Sequence, residues 1–180
     1  FEFGIAMVAL VGVLLLGILK GVLVAVVISL LVLLSAAARP HVAFLGRIPG
    51  TRRYSDSSRH PDNEPIPGVL IFRVEASILY FNAEHVRNLI WPRVSADPAL
   101  RLVLCDLSNS PYVDVAGGAM LAKLNDEVRQ RGGVLRIVEA RARARDLLRA
   151  VGLEKQTGYF GRHMSIDQAL LEFEQNELPS

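Results

Sequence analysis

The chain has 180 residues, about a fifth of them charged, and a formal net charge of +2. That length holds one ordinary domain plus an appendage, and so small a net charge leaves no electrostatic footprint for nucleic acid. A single cysteine, Cys105, excludes an intramolecular disulfide and fits a reducing compartment.

Mean hydropathy is nevertheless positive, because the apolar residues are segregated. From Phe3 to Ala38 the only charge is Lys20. An apolar run longer than about 18 residues reads as membrane-spanning, and this one would be roughly 54 Å long as a single straight helix. The hydrocarbon core is about 30 Å thick. Gly17-Ile-Leu-Lys20-Gly21 places a charge and two glycines in the middle. Residues 1–38 are therefore read as a transmembrane helical hairpin, Phe3–Leu16 and Val22–Ala38, in preference to one tilted helix with a long extension. The opening at Phe1 has neither a methionine nor the basic region and cleavage site of a signal peptide. It reads as a fragment whose beginning is missing.

Arg39, Arg47, Arg52, Arg53 and Arg59 follow the run, against one acidic residue, Asp56. By the positive-inside rule this flank, and everything after it, is expected in the cytoplasm of a cell membrane protein. Five prolines between Arg39 and Pro67 and little periodicity suggest an extended, stiff linker over residues 39–66. Such a linker holds no core, so a cut before Pro67 is expected to release a folded domain.

The globular part, residues 67–180, opens with Val69–Arg73 and Ile78–Phe81, β-prone runs split by Glu75-Ala-Ser77 and read as a hairpin. Asn82 is placed to cap a helix whose buried stripe is Val86, Leu89 and Ile90, ended or kinked at Trp91-Pro92. Leu102–Asp106 is a buried strand leading to a polar loop with Ser108 and Ser110. Asp114 then stands where a helix N-cap belongs, and that helix runs to Gly132-Gly133. Val134–Val138 is a further strand, Ala142–Val151 a helix closed by Gly152, and Gly158–Phe160 a weak strand. A final helix begins at the capping box Ser165-Ile-Asp-Gln168. Strands alternating with helices predict an α/β fold with parallel neighbours.

Asp106, Ser108, Ser110, Asp114 and Gly117 gather at the carboxyl end of a strand, where open α/β sheets tend to place their sites. A structural role for both aspartates, one closing the strand and one capping the helix, stands beside that reading. The sequence offers no dinucleotide or phosphate loop, no zinc spacing among its scattered histidines, and no nucleophile elbow around the serines. It therefore predicts no catalytic, cofactor or metal residues, and no enzyme.

The order of elements, with Asp106-Leu-Ser108, Asp114-Val-Ala-Gly117, Pro67-Gly-Val-Leu-Ile-Phe-Arg73 and Leu79-Tyr-Phe-Asn-Ala83, resembles a STAS domain. Preceded by an apolar hairpin and by Pro40, Leu45-Gly46 and Tyr54, it is similar to the C-terminal end of SulP-type anion transporters. The resemblance implies a STAS-type mixed β-sheet packed with about four helices. It also implies membership of a multi-pass, dimeric secondary transporter of sulfate or a related anion, with the lipid bilayer and the rest of the membrane domain as partners. The STAS domain would regulate, assemble or dock, with a cytoplasmic protein partner at the loop. The alternative is a membrane-tethered interaction module that transports nothing. Phosphorylatable STAS domains carry serine or threonine directly after the second aspartate. Here Val115 and Ala116 follow Asp114, so a kinase-switched role is not expected.

Overall fold

The computed structural model describes Phe3, Gly4, Met7 and residues 18–162 and 164–177. The chain separates into two units, Phe1–Arg39 and Pro40–Ser180.

In the first unit, α1 covers Ile18–Ala38, 21 residues, about 31 Å at 1.5 Å per residue. That length matches a hydrocarbon core of about 30 Å. Its Leu19–Ala38 portion has a mean hydropathy of 2.8, and apolar side chains such as Leu19, Leu23, Leu30 and Leu33 are exposed along it. A helix apolar on all sides suits lipid rather than water. Lys20 and Gly21, expected at the turn of a hairpin, lie within the first turn of α1 instead. Gly17 and, apart from Phe3, Gly4 and Met7, the expected first arm lie outside the described residues.

The second unit corrects the expected linker. Residues 39–66 contain β1 (Val42–Arg47) and β2 (Tyr54–Asp56), which join β3 (Val69–Val74), β4 (Leu102–Asp106) and β5 (Val134–Val138) in one sheet of order β2-β1-β3-β4-β5. β1 runs antiparallel to both neighbours, with Val42 opposite Val74 and Leu45 opposite Ile71. β3, β4 and β5 are parallel. Val42, Ala43 and Leu45 are buried. The prolines lie outside both strands, where they interrupt no ladder hydrogen bond.

Among the described residues five helices cover the sheet: α2 (Ala83–Ala96), α3 (Val115–Gln130), α4 (Ala142–Ala150), α5 (Leu153–Thr157) and α6 (Ile166–Glu177). Alternation along β3 sends Phe72 and Val74 to a core shared with Val86 and Ile90 of α2, Leu121 and Leu124 of α3 and Leu148 of α4. Ile71 points to the opposite face, where Leu102 and Leu104 meet Ile166, Ala169 and Leu170 of α6. β4, covered on both sides, is buried at every residue.

Three further expectations are revised. Ile78–Phe81 is no strand. Ile78 makes one parallel bridge to Val113, and the Asn82 carboxamide folds the segment back by accepting from Leu79 N–H (2.8 Å) and donating to Ser77 O (3.0 Å). α2 continues through Pro92 to Ala96, and its buried residues are Ala83, Val86, Ile90 and Val94, with Leu89 turned outward. Gly158–Phe160 is irregular: Gly158 ends α5 at φ 84°, a turn that excludes strand geometry, and Phe160 plugs the core.

Candidate functional site at the carboxyl end of the sheet

The parallel strands deliver Arg73, Glu75, Asp106 and Glu139 to one end of the sheet, and antiparallel β1 brings its first residues to the same end. Arg73 and Asp106 are register partners. Asp106 is buried, accepts from Ser108 N–H at 2.8 Å, and lies 3.9 Å from Arg73 Nη1. Arg73 Nε donates to Glu75 Oε1 at 2.8 Å, and Asn109 Nδ2 donates to the other Glu75 oxygen. Glu75 N–H in turn donates to the His41 carbonyl (3.0 Å). His41 Nε2 is 3.3 Å from Asp56 Oδ2, and Asp56 Oδ1 accepts from both Ser58 N–H and Ser58 Oγ. The result is a connected charged network lining a cleft between His41, Asp56, Arg59, Arg73 and Glu75.

The network sets its own protonation. Burial pushes the Asp56 carboxyl up, but the hydrogen bonds from Ser58 and His41 outweigh it and hold the group below its ordinary value. Glu75 behaves alike, with Asn109 and Arg73 overcoming the effect of burial. Glu139 moves the other way: burial and then the nearby Asp106 charge raise it. It also holds a left-handed backbone, φ 54°, fixed by a hydrogen bond from its N–H to Met164 O (2.9 Å).

The five residues singled out from sequence divide between this network and a separate staple. Asp106 and Ser108 belong to the network. Ser110 is fully buried, its hydroxyl shared between Val74 O (3.1 Å) and Ala76 O (2.9 Å), so it ties the loop to the end of β3. Asp114 caps α3 by accepting from Gly117 N–H (2.8 Å), and its second oxygen accepts from Tyr80 N–H (2.7 Å). One carboxylate thus joins α3 to the turn before α2. Gly117 is required beside it, because a Cβ there would stand 2.7 Å from Ile78 O. Val115 is exposed and carries no hydroxyl.

Arg73, Glu75, Asn109, His41 and Asp56 were not anticipated. Their local signals are polar residues at strand ends and the two-residue step from Arg73 to Glu75, while the contacts that join the rest, 15 to 34 residues apart, leave no spacing to read. Cys105 is fully buried, with its thiol pushed well up by burial and then by Asp106, which makes it a packing group. Among the described residues no three His, Cys, Asp or Glu side chains converge as metal ligands would. What the arrangement offers is charge-paired recognition: an ordered set of fixed carboxylates and guanidinium groups at one end of a rigid sheet.

Comparison with known proteins gives a consistent picture. The family model for the STAS domain matches residues 60–167. A probable sulfate transporter of Mycobacterium tuberculosis is 30% identical over 173 residues, 96% of this chain and 31% of the relative. Sulfate transporter 2.1 of Arabidopsis thaliana is 34% identical over 150 residues, 77% of this chain and 22% of the relative. The chain therefore spans less than a third of the length of these curated relatives. Among solved structures, the murine anion transporter Slc26a9 in its inward-facing state superposes with a TM-score of 0.80 at 20% identity, over 94% of this chain and 28% of that one. The sulfate transporter family protein of Wolinella succinogenes superposes at 0.53 with 17% identity, over 67% of this chain and 97% of that one.

Proposed function

The chain belongs to the STAS domain family and fits the C-terminal STAS part of a SulP-type transporter, and from that premise we propose that its STAS domain couples to a multi-pass secondary anion transporter through the end of the sheet where the chain enters. The observation carrying this reading is the brevity of the tether. α1 ends at Ala38 and β1 begins at Val42, so Arg39, Pro40 and His41 alone separate an apolar helix from the second strand of the sheet. Proline restricts the backbone of that tether. His41 is itself a member of the charged network, through its carbonyl to Glu75 and its ring to Asp56. In this reading a displacement of the helix end would reach the network through two residues, Arg39 and Pro40, rather than through a slack linker.

In this reading the STAS domain lies in the cytoplasm, positions and regulates the membrane domain, works within a homodimer, and binds and orients rather than catalyses. Sulfate or a related anion is the cargo, as the names of the relatives suggest. In this reading the 180 residues alone are not expected to transport. The test is uptake of labelled sulfate by cells lacking their own sulfate permease, transformed with the complete coding sequence or with these 180 residues. Uptake is expected from the complete protein and not from the shorter chain. A complete protein with a single membrane span and no uptake of any anion would instead establish a tethered interaction module.

A further inference from the structure

Tyr80, Val115 and Tyr112 are 76%, 65% and 47% exposed, and the backbone holds them on one platform. Ile78 N–H donates to Tyr112 O (3.1 Å), and Asp114 N–H donates to Ile78 O (3.1 Å). Tyr80 N–H donates to Asp114 Oδ2 (2.7 Å). The bridge partners Ile78 and Val113 are fully buried and root the platform in the core. Phe81 meets the Tyr80 ring edge to face, with centroids 5.3 Å apart. A single exposed apolar side chain needs no explanation, whereas a rooted group of them marks an interaction surface. Tyrosine suits such a surface because it offers a large amphipathic ring with only two side-chain torsions to freeze.

Charge decides what the platform fits. Asp114 places a carboxylate within it, and Glu84, exposed in the first turn of α2, has no ion pair among the described residues. The first lysine or arginine of each helix that begins here is engaged or distant. Arg87 of α2 is paired with Glu127, and Lys123 lies eight residues along α3 from Val115, about 12 Å. Anionic headgroups would therefore meet like charge, and a cationic partner would meet two carboxylates and two aromatic faces. Position narrows the partner further. α1 ends four Cα steps before Val42, at most about 15 Å of chain. Val42 pairs with Val74, four residues before Ile78.

We propose that Tyr80, Tyr112 and Val115 seat a basic cytoplasmic loop of the transporter's own membrane domain. Cytoplasmic loops of multi-pass proteins carry an excess of lysine and arginine. A cationic side chain of such a loop lies over the tyrosine faces, its charge balanced by Asp114 and Glu84, and Val115 takes an apolar neighbour of that residue. The inference rests on the transporter reading above and names the surface and the chemistry of the partner. It assigns Asp114 a second use: the carboxylate that caps α3 also sets the sign of the platform.

The test uses the complete protein in native membranes, with the photo-crosslinker benzoylphenylalanine in place of Val115 and adducts mapped by mass spectrometry. The expected adduct is with a lysine- or arginine-containing cytoplasmic loop of the membrane domain. Its yield at matched surface abundance should fall about fivefold or more in Tyr80→Leu with Tyr112→Leu, the loss of two cation–π contacts at exposed sites. Tyr80→Phe with Tyr112→Phe should recover it to within about twofold, because the aromatic faces remain. The same crosslinker in place of Tyr159, 66% exposed on another segment, should not reach that loop. An adduct with lipid, one with the STAS domain of a second copy, or none above the Tyr159 level would overturn the proposal. So would a yield unchanged in the leucine pair or unrecovered in the phenylalanine pair. A complete protein without a multi-pass membrane domain would sink both this inference and the transporter reading. One that takes up anion but gives no loop adduct would refute this surface alone.

Discussion

Where the domain begins is a question with a measurable answer. Removing residues 1–39 leaves the whole sheet, whereas removing 1–66 strips β1 and β2 from it. Val42 and Leu45 are 6% and 8% exposed, and burying an aliphatic side chain of this size contributes about 1.5–3 kcal/mol. These two residues alone are then worth about 3–6 kcal/mol, a large part of the roughly 5–15 kcal/mol that holds a domain folded. The shorter chain would also lose Ala43 from the face covered by α6 and open the ladder of β3, whose Phe72 and Val74 are fully buried in the intact sheet. An uncovered apolar edge strand is a template for aggregation. Urea denaturation followed by circular dichroism, with gel filtration of both chains, measures the difference. The chain from Pro40 should unfold cooperatively, and the chain from Pro67 should be at least about 3 kcal/mol less stable or aggregate. Stabilities within about 1 kcal/mol of each other would refute the assignment of β1 and β2 to the core, since two buried aliphatics should cost several times that.

Other outcomes follow from single contacts. Asp114→Ala removes a helix cap and the acceptor of Tyr80 N–H, and should cost about 2–3 kcal/mol by chemical denaturation, more than the roughly 1 kcal/mol of a cap alone. Gly117→Ala drives a Cβ to 2.7 Å from backbone Ile78 O, whereas Gly118→Ala meets side-chain methyls, Val151 at 3.1 Å and Leu148 at 3.8 Å. The first should lose about 1–3 kcal/mol and the second should change stability by less than about 1 kcal/mol, a contrast that thermal melts resolve. Asp56 and Glu75 are held below their ordinary values of 3.8 and 4.5. A depressed carboxyl contributes stability that is fully present above those values and lost as pH falls through its folded-state value. Acid titration of the domain should therefore show stability falling below about pH 4.5, with a shallower fall in Asp56→Asn and Glu75→Gln.

What was legible in the sequence was local. The cap at Asp114, the stop at Gly132, which has φ 79°, and the reciprocal box in which Ser165 N–H donates to Gln168 Oε1 and Gln168 N–H to Ser165 Oγ all rest on residues within a few positions of one another. What was lost was long-range. β2 is three residues long and β1 ends in Gly46-Arg47, so neither produces an alternating pattern strong enough to outweigh the prolines and arginines around them. Ile78–Phe81 carries the composition of a strand, yet Asn82 and the bridge to Val113 decide its shape. The loop serines and aspartates looked like one site because they are close in sequence. Burial separates them, with Ser110 turned inward and Asp106 turned toward Arg73.

The central claim is that the charged network transmits between the STAS domain and an anion-transporting membrane domain. The direct measurement is anion uptake per surface molecule in the complete protein carrying Arg73→Gln together with Glu75→Gln. That pair removes the ion pair at the centre of the network and leaves net charge unchanged. Far-ultraviolet circular dichroism of the isolated variant, begun at Pro40, checks that the fold is kept. With the fold intact and surface abundance matched, the account predicts that uptake per molecule falls. Unchanged uptake per molecule in a folded, correctly delivered variant would contradict it.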